Sequence, residues 1–420
     1  MFRLAILVGL VGVALAGKSP NADIIERMVR SHPGARYSND ILEDAQLDVP
    51  DLVAKYGYPV ESHNVETQDG YGLTMHRIPH GRDSHNKSDP NKPIVFLMHG
   101  LLSSSADYLL LGPGRALGYI LADLGYDVWL GNARGNYYSR RHRRLNPDSR
   151  LNKNFWKFSW DEIGNYDLPA FLDYIEAHTG QSRLHFVGHS QGGTSFLVLA
   201  SLRPEYNKRF ISFQGLAPAS FFTHNEHPTF TRIAPLESIL ESAAFAMGRA
   251  EVFGSREFIT WFALRYCAEE SIFSPICTSI IVSGTSDHFN TTMIPVFLGH
   301  APAGASIRQY AHFAQCINTD SFRRYDHGTL TNLRVYGRRT PPEYDLNKVT
   351  APTYIYYATN DKTVHYQDVR LLASKLPNVK GAFQINSPTF DHLDFLWGSG
   401  AKDLFYTKMI RLMREAENAL

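Results

Sequence analysis

At 420 residues the chain is long enough to bury a large core, and its 44% hydrophobic and 20% charged residues are those of an ordinary globular protein. A formal net charge of +1 supplies neither a basic field for nucleic acid nor a polybasic surface for acidic membranes. Three cysteines are too few for a disulfide scaffold, so packing must carry the stability.

The first residues follow a targeting pattern. Met1-Phe2-Arg3 is a short basic region, Leu4 to Leu15 is apolar, and Ala14-Leu15-Ala16 is a small-residue cleavage site. A leader over 1–16 is expected, taking the chain into the secretory lumen and on to a secreted or lysosomal destination. That run is too short to cross a bilayer and no later stretch is long enough, so no transmembrane anchor is expected. Asn86-Lys87-Ser88 and Asn290-Thr291-Thr292 are glycosylation sequons that suit this route. Cys267 and Cys277 lie close together and Cys316 is left over. In an oxidising lumen one reading is a Cys267–Cys277 bridge with Cys316 free; the other is three buried thiols.

Two alternating runs, Val60 to Thr67 and Tyr71 to Ile78, flank Asp69-Gly70 and predict a β-hairpin. Ile94 to Met98 is continuously apolar, as in a strand buried on both faces. A helix over 114–124, a strand over 126–130, a helix over 167–179 and a strand over 184–187 follow. Helix 194–201 and strand 210–217 complete this part. Strand and helix alternate, which predicts a mostly parallel sheet with helices on both faces. The alternation breaks after Pro218 and resumes with strand 352–358, helix 368–376, strand 383–385 and an amphipathic helix from Asp403. The expected division is therefore a core in two parts, 17–218 and 346–420, split by a largely helical insertion over 219–345. The insertion's aromatics, among them Phe221, Phe222, Phe230, Phe258, Trp261 and Phe262, suit a cap over a site. The basic run Arg140 to Arg144 is read as a solvated or salt-bridged loop. His224 and His227 lack a nearby third ligand, so no metal site is expected.

Leu184 to Val187 runs directly into Gly188-His189-Ser190-Gln191-Gly192 and then a helix. That is the Gly-x-Ser-x-Gly elbow in its strand–turn–helix setting, which lifts one serine hydroxyl to the top of a sheet. A serine needs a base to take its proton. In elbow enzymes the partners follow in the order serine, acid, histidine. Asp361 follows the strand ending at Ala358, and His392 lies in a loop after the last strand. Asp368, read as a helix N-cap, and Asp391, beside the histidine, compete with Asp361 for the acid role. The developing oxyanion needs two aimed N–H groups, expected from Gln191 and from Leu101 in His99-Gly100-Leu101-Leu102.

Several runs together resemble the acid lipases of animals. They are Leu97-Met98-His99-Gly100-Leu101-Leu102, Gly131-Asn132-Ala133-Arg134-Gly135-Asn136, Phe158-Ser159-Trp160-Asp161-Glu162, Tyr166-Asp167-Leu168-Pro169-Ala170 and Gly188-His189-Ser190-Gln191-Gly192. Leu216-Ala217-Pro218, Pro302-Ala303-Gly304, Asn360-Asp361 and His392-Leu393-Asp394-Phe395 extend the likeness from about residue 20 to about 400. The resemblance implies an α/β-hydrolase fold with a cap and lid. It implies Ser190, Asp361 and His392 as the catalytic triad, with Leu101 and Gln191 as oxyanion donors. It also implies a Cys267–Cys277 bridge, glycosylation and no cofactor. The implied activity is hydrolysis of neutral-lipid esters, triacylglycerols or sterol esters, by a monomer at a lipid interface. The alternatives are a short-chain carboxylesterase and a silent lipid-binding protein of the same fold. Two departures stand out. Gly193 replaces the family's usual threonine, and the loop between Cys267 and Cys277 is slightly longer.

Overall fold

The computed structural model describes residues 39–83, 89–149, 151–254 and 286–419. The expected leader, Asn86, Cys267, Cys277, Phe258, Trp261 and Phe262 lie outside the described residues.

The centre of the molecule is a nine-stranded sheet. Its strands are β1 (Glu61–Glu66), β2 (Tyr71–Ile78), β3 (Ile94–Met98), β4 (Asp127–Gly131), β5 (Arg141–His142), β6 (Leu184–His189) and β7 (Phe210–Leu216). A minor pair, β8 (Glu251–Val252) and β9 (Ala305–Ser306), lies apart, and β10 (Thr353–Tyr357) and β11 (Val379–Gln384) complete the main sheet. The spatial order is β1-β2-β4-β3-β6-β7-β10-β11, with β5 on β2. β1, β2 and β5 pair antiparallel, whereas every pair from β4 to β11 is parallel. The inner strands are buried along their whole length, as helices on both faces require. β1 instead alternates toward solvent.

The main helices are α1 (Leu117–Asp123), α2 (Leu168–Thr179), α3 (Gln191–Leu202), α4 (Glu237–Ala246), α5 (Ile307–Thr319), α6 (Tyr366–Lys375) and α7 (Thr407–Asn418). α2 is the end of a longer helix that begins at Trp160, behind a Ser159–Glu162 capping box, and passes through a π turn at Ile163–Asp167. The sequence expectation begins this helix only at Asp167. Gly164 is there for contact: a Cβ on it would lie 2.5 Å from Val198 Cβ on α3. α6 starts at Tyr366 and is capped by His365, so Asp368 is a first-turn residue and not the N-cap. Helix α1 likewise begins at Leu117, after a turn over 112–116, and the last strand spans Val379–Gln384 instead of 383–385.

Among the described residues, 219–345 contributes no strand to the central sheet. Phe222 and Phe230 from this segment pack on Phe313 of α5. The basic run Arg140–Arg144 is salt-bridged, with Arg140 on Asp148 and Arg143 on Glu66, but it is not a plain loop: Arg141–His142 form β5, which pairs with Tyr71–Gly72 of β2.

One buried cation ties the hairpin to the core. Arg134 donates from Nε to Asp167 Oδ1 (2.7 Å) and from Nη1 and Nη2 to Asp69 (2.6 and 2.9 Å). Its guanidinium lies 4.0 Å from the centre of the Tyr71 ring. Asp69 sits in the hairpin turn and Asp167 in the π turn, so one side chain fixes both. Arg134→Met leaves Asp167 buried without its partner, and urea titration should register a loss of about 3–5 kcal/mol.

Candidate active site

β6 ends at His189 and α3 begins at Gln191, which leaves one residue to turn the chain. Ser190 does so at φ 51, ψ −118, a conformation that costs free energy in a non-glycine residue. Its backbone is held on both sides. Ser190 N–H donates to Leu216 O (2.9 Å), and Ser190 O accepts from Gly193 N (3.0 Å) and Thr194 N (3.2 Å). The flanking glycines are there because backbone meets backbone. A Cβ on Gly192 would lie 2.2 Å from Met98 O, and one on Gly188 would lie 2.7 Å from Gly193 N.

Asp361 is buried after β10, and both its oxygens are engaged. Oδ1 accepts from Thr363 N (2.9 Å) and Val364 N (2.8 Å), and Oδ2 accepts from His392 Nδ1 (2.7 Å). The competing acids are placed elsewhere. Asp368 accepts from His224 N and Nδ1, and Asp391 accepts from His392 N. Burial works against an imidazolium at His392, but the Asp361 charge and hydrogen bond override it and raise the group above its ordinary value.

His189, between Gly188 and Ser190, joins the elbow to the histidine loop. Its Nε2 donates to His392 O (3.0 Å), and the two rings lie 4.8 Å apart. Burial holds His189 neutral. Asp394 pins the same loop, accepting from Asp391 N (2.7 Å) and from Ser286 Oγ (2.5 Å). Asp361 thus holds the His392 ring, and His189 ties the His392 loop to the elbow that carries Ser190.

The expected oxyanion pair is also adjacent. A Cβ on Gly100 would lie 3.3 Å from Ser190 Cβ, so the His99–Leu102 loop lies directly against the elbow. Among the described residues, neither Leu101 N–H nor Gln191 N–H has a protein acceptor. The insertion reaches the residue after Leu101 and the side chain of Gln191. Ala303 N donates to Leu102 O (2.6 Å), and Gln309 Nε2 donates to Gln191 Oε1 (3.1 Å).

Elsewhere, His224 pairs with Asp368, and His227 Nδ1 accepts from Thr229 N. A surface trio of Glu61, His63 and His178 brings ligand atoms together, but Arg77 Nη1 fills it, 2.9 Å from Glu61 Oε2 and 3.2 Å from His178 Nε2. Asn290 caps a turn through Oδ1. Cys316 is a free, fully buried thiol.

Two family models match the chain: the partial alpha/beta-hydrolase lipase region over residues 49–112 and the alpha/beta hydrolase fold over 93–232. Lipase 3 of Drosophila melanogaster is 38% identical over 98% of both chains. Human gastric triacylglycerol lipase is 35% identical over 91% of this chain and 93% of its own. Human lysosomal acid lipase/cholesteryl ester hydrolase is 34% identical over 89% and 92%. The chain belongs to the acid lipase family. A solved structure from Sulfolobus solfataricus shares the fold at a TM-score of 0.54 and 16% identity, covering 82% of this chain and 90% of that one.

In this acid lipase Gly193 packs directly on Pro218. A Cβ there would lie 2.6 Å from Pro218 Cβ, so Pro218 occupies the space that the missing side chain would take. His189, Asp394 and Gln309 were not singled out as site residues from the sequence. The only signal for His189 was its place inside the elbow, and Asp394 and Gln309 act through contacts more than a hundred residues away. Gly192→Ala presses on a carbonyl that cannot retreat, and no cooperative unfolding transition is expected. Gly193→Ala presses only on a proline ring; its unfolding midpoint should fall by the equivalent of about 1–3 kcal/mol.

Proposed function

We propose that this acid lipase hydrolyses the ester bonds of neutral lipids, triacylglycerols or sterol esters, through an acyl-enzyme on Ser190. The observation that carries the reading is the 2.7 Å Asp361–His392 hydrogen bond beside a serine held at φ 51. Ser190 Oγ attacks the acyl carbon while His392 Nε2 takes its proton. Asp361 holds the Nδ1–H tautomer and balances the imidazolium that forms. Leu101 N–H and Gln191 N–H receive the oxyanion. His392 then protonates the departing alcohol, and water releases the fatty acid by the same route in reverse.

Residues 219–345 form the cap, and their bonds to Leu102, Gln191 and Asp394 support placing it over the site. A leader over 1–16 directs the chain to the lumen. Glycosylation at Asn86 and Asn290 and a Cys267–Cys277 bridge belong to the same reading. Among the described residues no helix is long and apolar enough to cross a membrane.

Fatty-acid release from emulsified triolein and from cholesteryl oleate tests the proposal. Release from at least one, abolished in Ser190→Ala, is expected. Activity confined to water-soluble esters would replace the lipase with an esterase, and activity surviving in Ser190→Ala would remove the serine mechanism. A second expectation concerns pH. The base works only unprotonated, so kcat/KM on a soluble ester should fall as pH drops through the His392 pKa. Asp361 holds that pKa above 6.5. In Asp361→Asn the acid limb should move to lower pH while kcat falls by about 10⁴.

A further inference from the structure

His99 precedes the proposed oxyanion loop, and all its ring contacts are settled. Its Nε2 lies 3.0 Å from Ala133 N and 3.2 Å from Asn136 Nδ2. Ala133 N–H can only donate. The Asn136 amide is oriented by its other bonds: its NH₂ also meets Ser103 O and Asn132 Oδ1, while its carbonyl oxygen accepts from Tyr138 N. Two donors therefore face Nε2, so that nitrogen is an acceptor and carries no proton. The ring's proton sits on Nδ1, which donates to Gly100 O at 2.7 Å. Burial keeps the ring neutral, pushing it down to about 4.

Gly100 O belongs to the same planar trans peptide unit as Leu101 N–H. In that unit the C=O and N–H point in opposite directions. A hold on the oxygen is therefore a hold on the direction of the N–H. A second bond, from Ala303 N to Leu102 O, fixes the Leu102–Ser103 peptide further along the loop, and Leu102 sits at φ 63. We propose that His99 is a positioning residue: its Nδ1–H, by grasping Gly100 O, aims the Leu101 N–H at the oxyanion. His99 touches no reacting atom. Its second nitrogen is an anchor, tying the grip to the Ala133 backbone beyond β4. This inference rests on the serine-hydrolase reading given above.

The two nitrogens can be separated by substitution. Asn at position 99 keeps a donor near the Nδ1 position and loses the far acceptor. Gln keeps an acceptor near the Nε2 position and loses the near donor. The assay is turnover of p-nitrophenyl butyrate by the full chain, with kcat and KM measured separately and Ser190→Ala as the blank. For His99→Gln, kcat should fall about 10²–10³-fold with KM within threefold, the loss expected for one misdirected oxyanion donor. His99→Asn should recover to within about tenfold of the starting kcat. A role in folding alone predicts the reverse, because Gln keeps the longer anchor. A His99→Gln enzyme with full kcat, or one that outperforms His99→Asn, overturns the proposal. Activity remaining in Ser190→Ala would instead indict the underlying mechanism.

The unsubstituted enzyme gives an independent reading should either variant fail to fold. With ¹⁵N-labelled histidine, the His99 ring should show a protonated Nδ1 and a bare Nε2 from pH 5 to 8. An Nε2–H tautomer overturns the proposal.

Discussion

The structure depends on one close approach, that of the Gly192 backbone to the Met98 carbonyl at the end of β3. Because no Cβ intervenes, helix α3 starts almost on top of the neighbouring strand. Ser190 must then turn the chain within a single residue and takes the strained φ that results. The same approach brings the His99–Leu102 loop, which continues β3, against the serine. The expected nucleophile and oxyanion donor are thus neighbours through strand order, not through any long side chain. Parallel pairing of β3 with β6, Met98 opposite Gly188, sets that adjacency.

Around this point the molecule uses buried polar groups as fasteners. His76, His99 and His189 are buried and held neutral, the first two down to about 4. Burial moves carboxyls the other way, Asp107 up to about 7 and Asp394 to about 6. Their effects on stability have opposite signs. A histidine kept neutral costs stability as pH falls from its unfolded value near 6.5 toward 4, because only the unfolded chain takes up the proton. A carboxyl kept protonated costs stability as pH rises from about 4 through its folded value, because only the unfolded chain then releases the proton freely. The two sets act in opposite directions between about pH 4 and 7.

The sheet, its order of elements and the elbow were legible because each rests on a local signal. Apolar runs marked the buried strands, and Gly-x-Ser-x-Gly marked the elbow. Asp361 was separable from Asp368 and Asp391 only by its place after a strand, and its hydrogen bond to His392 agrees with that placement. Helix edges were less legible. The helix from Trp160 was obscured by Gly164, a glycine placed for contact with Val198, and Asp368 resembled a cap while His365 capped the helix. The fasteners were not legible at all. Gln309 on Gln191 and Ser286 on Asp394 join positions far apart in sequence, and nothing in either neighbourhood signals its partner. The basic cluster at 140–144 reads as a loop, whereas Arg141–His142 form β5, an edge strand too short to leave a periodic signal, and the partners Asp148 and Glu66 were not legible either.

The insertion between β7 and β10 has a consequence in time. It separates Ser190 from Asp361 and His392 by well over a hundred residues of chain. During synthesis from the amino end, Ser190 and its flanking strands emerge first, and Asp361 and His392 follow only after the whole intervening segment has been made. On the reading that these three act together, a growing chain carries its nucleophile before its acid and base, so the order of the chain itself holds back activity until synthesis is nearly complete.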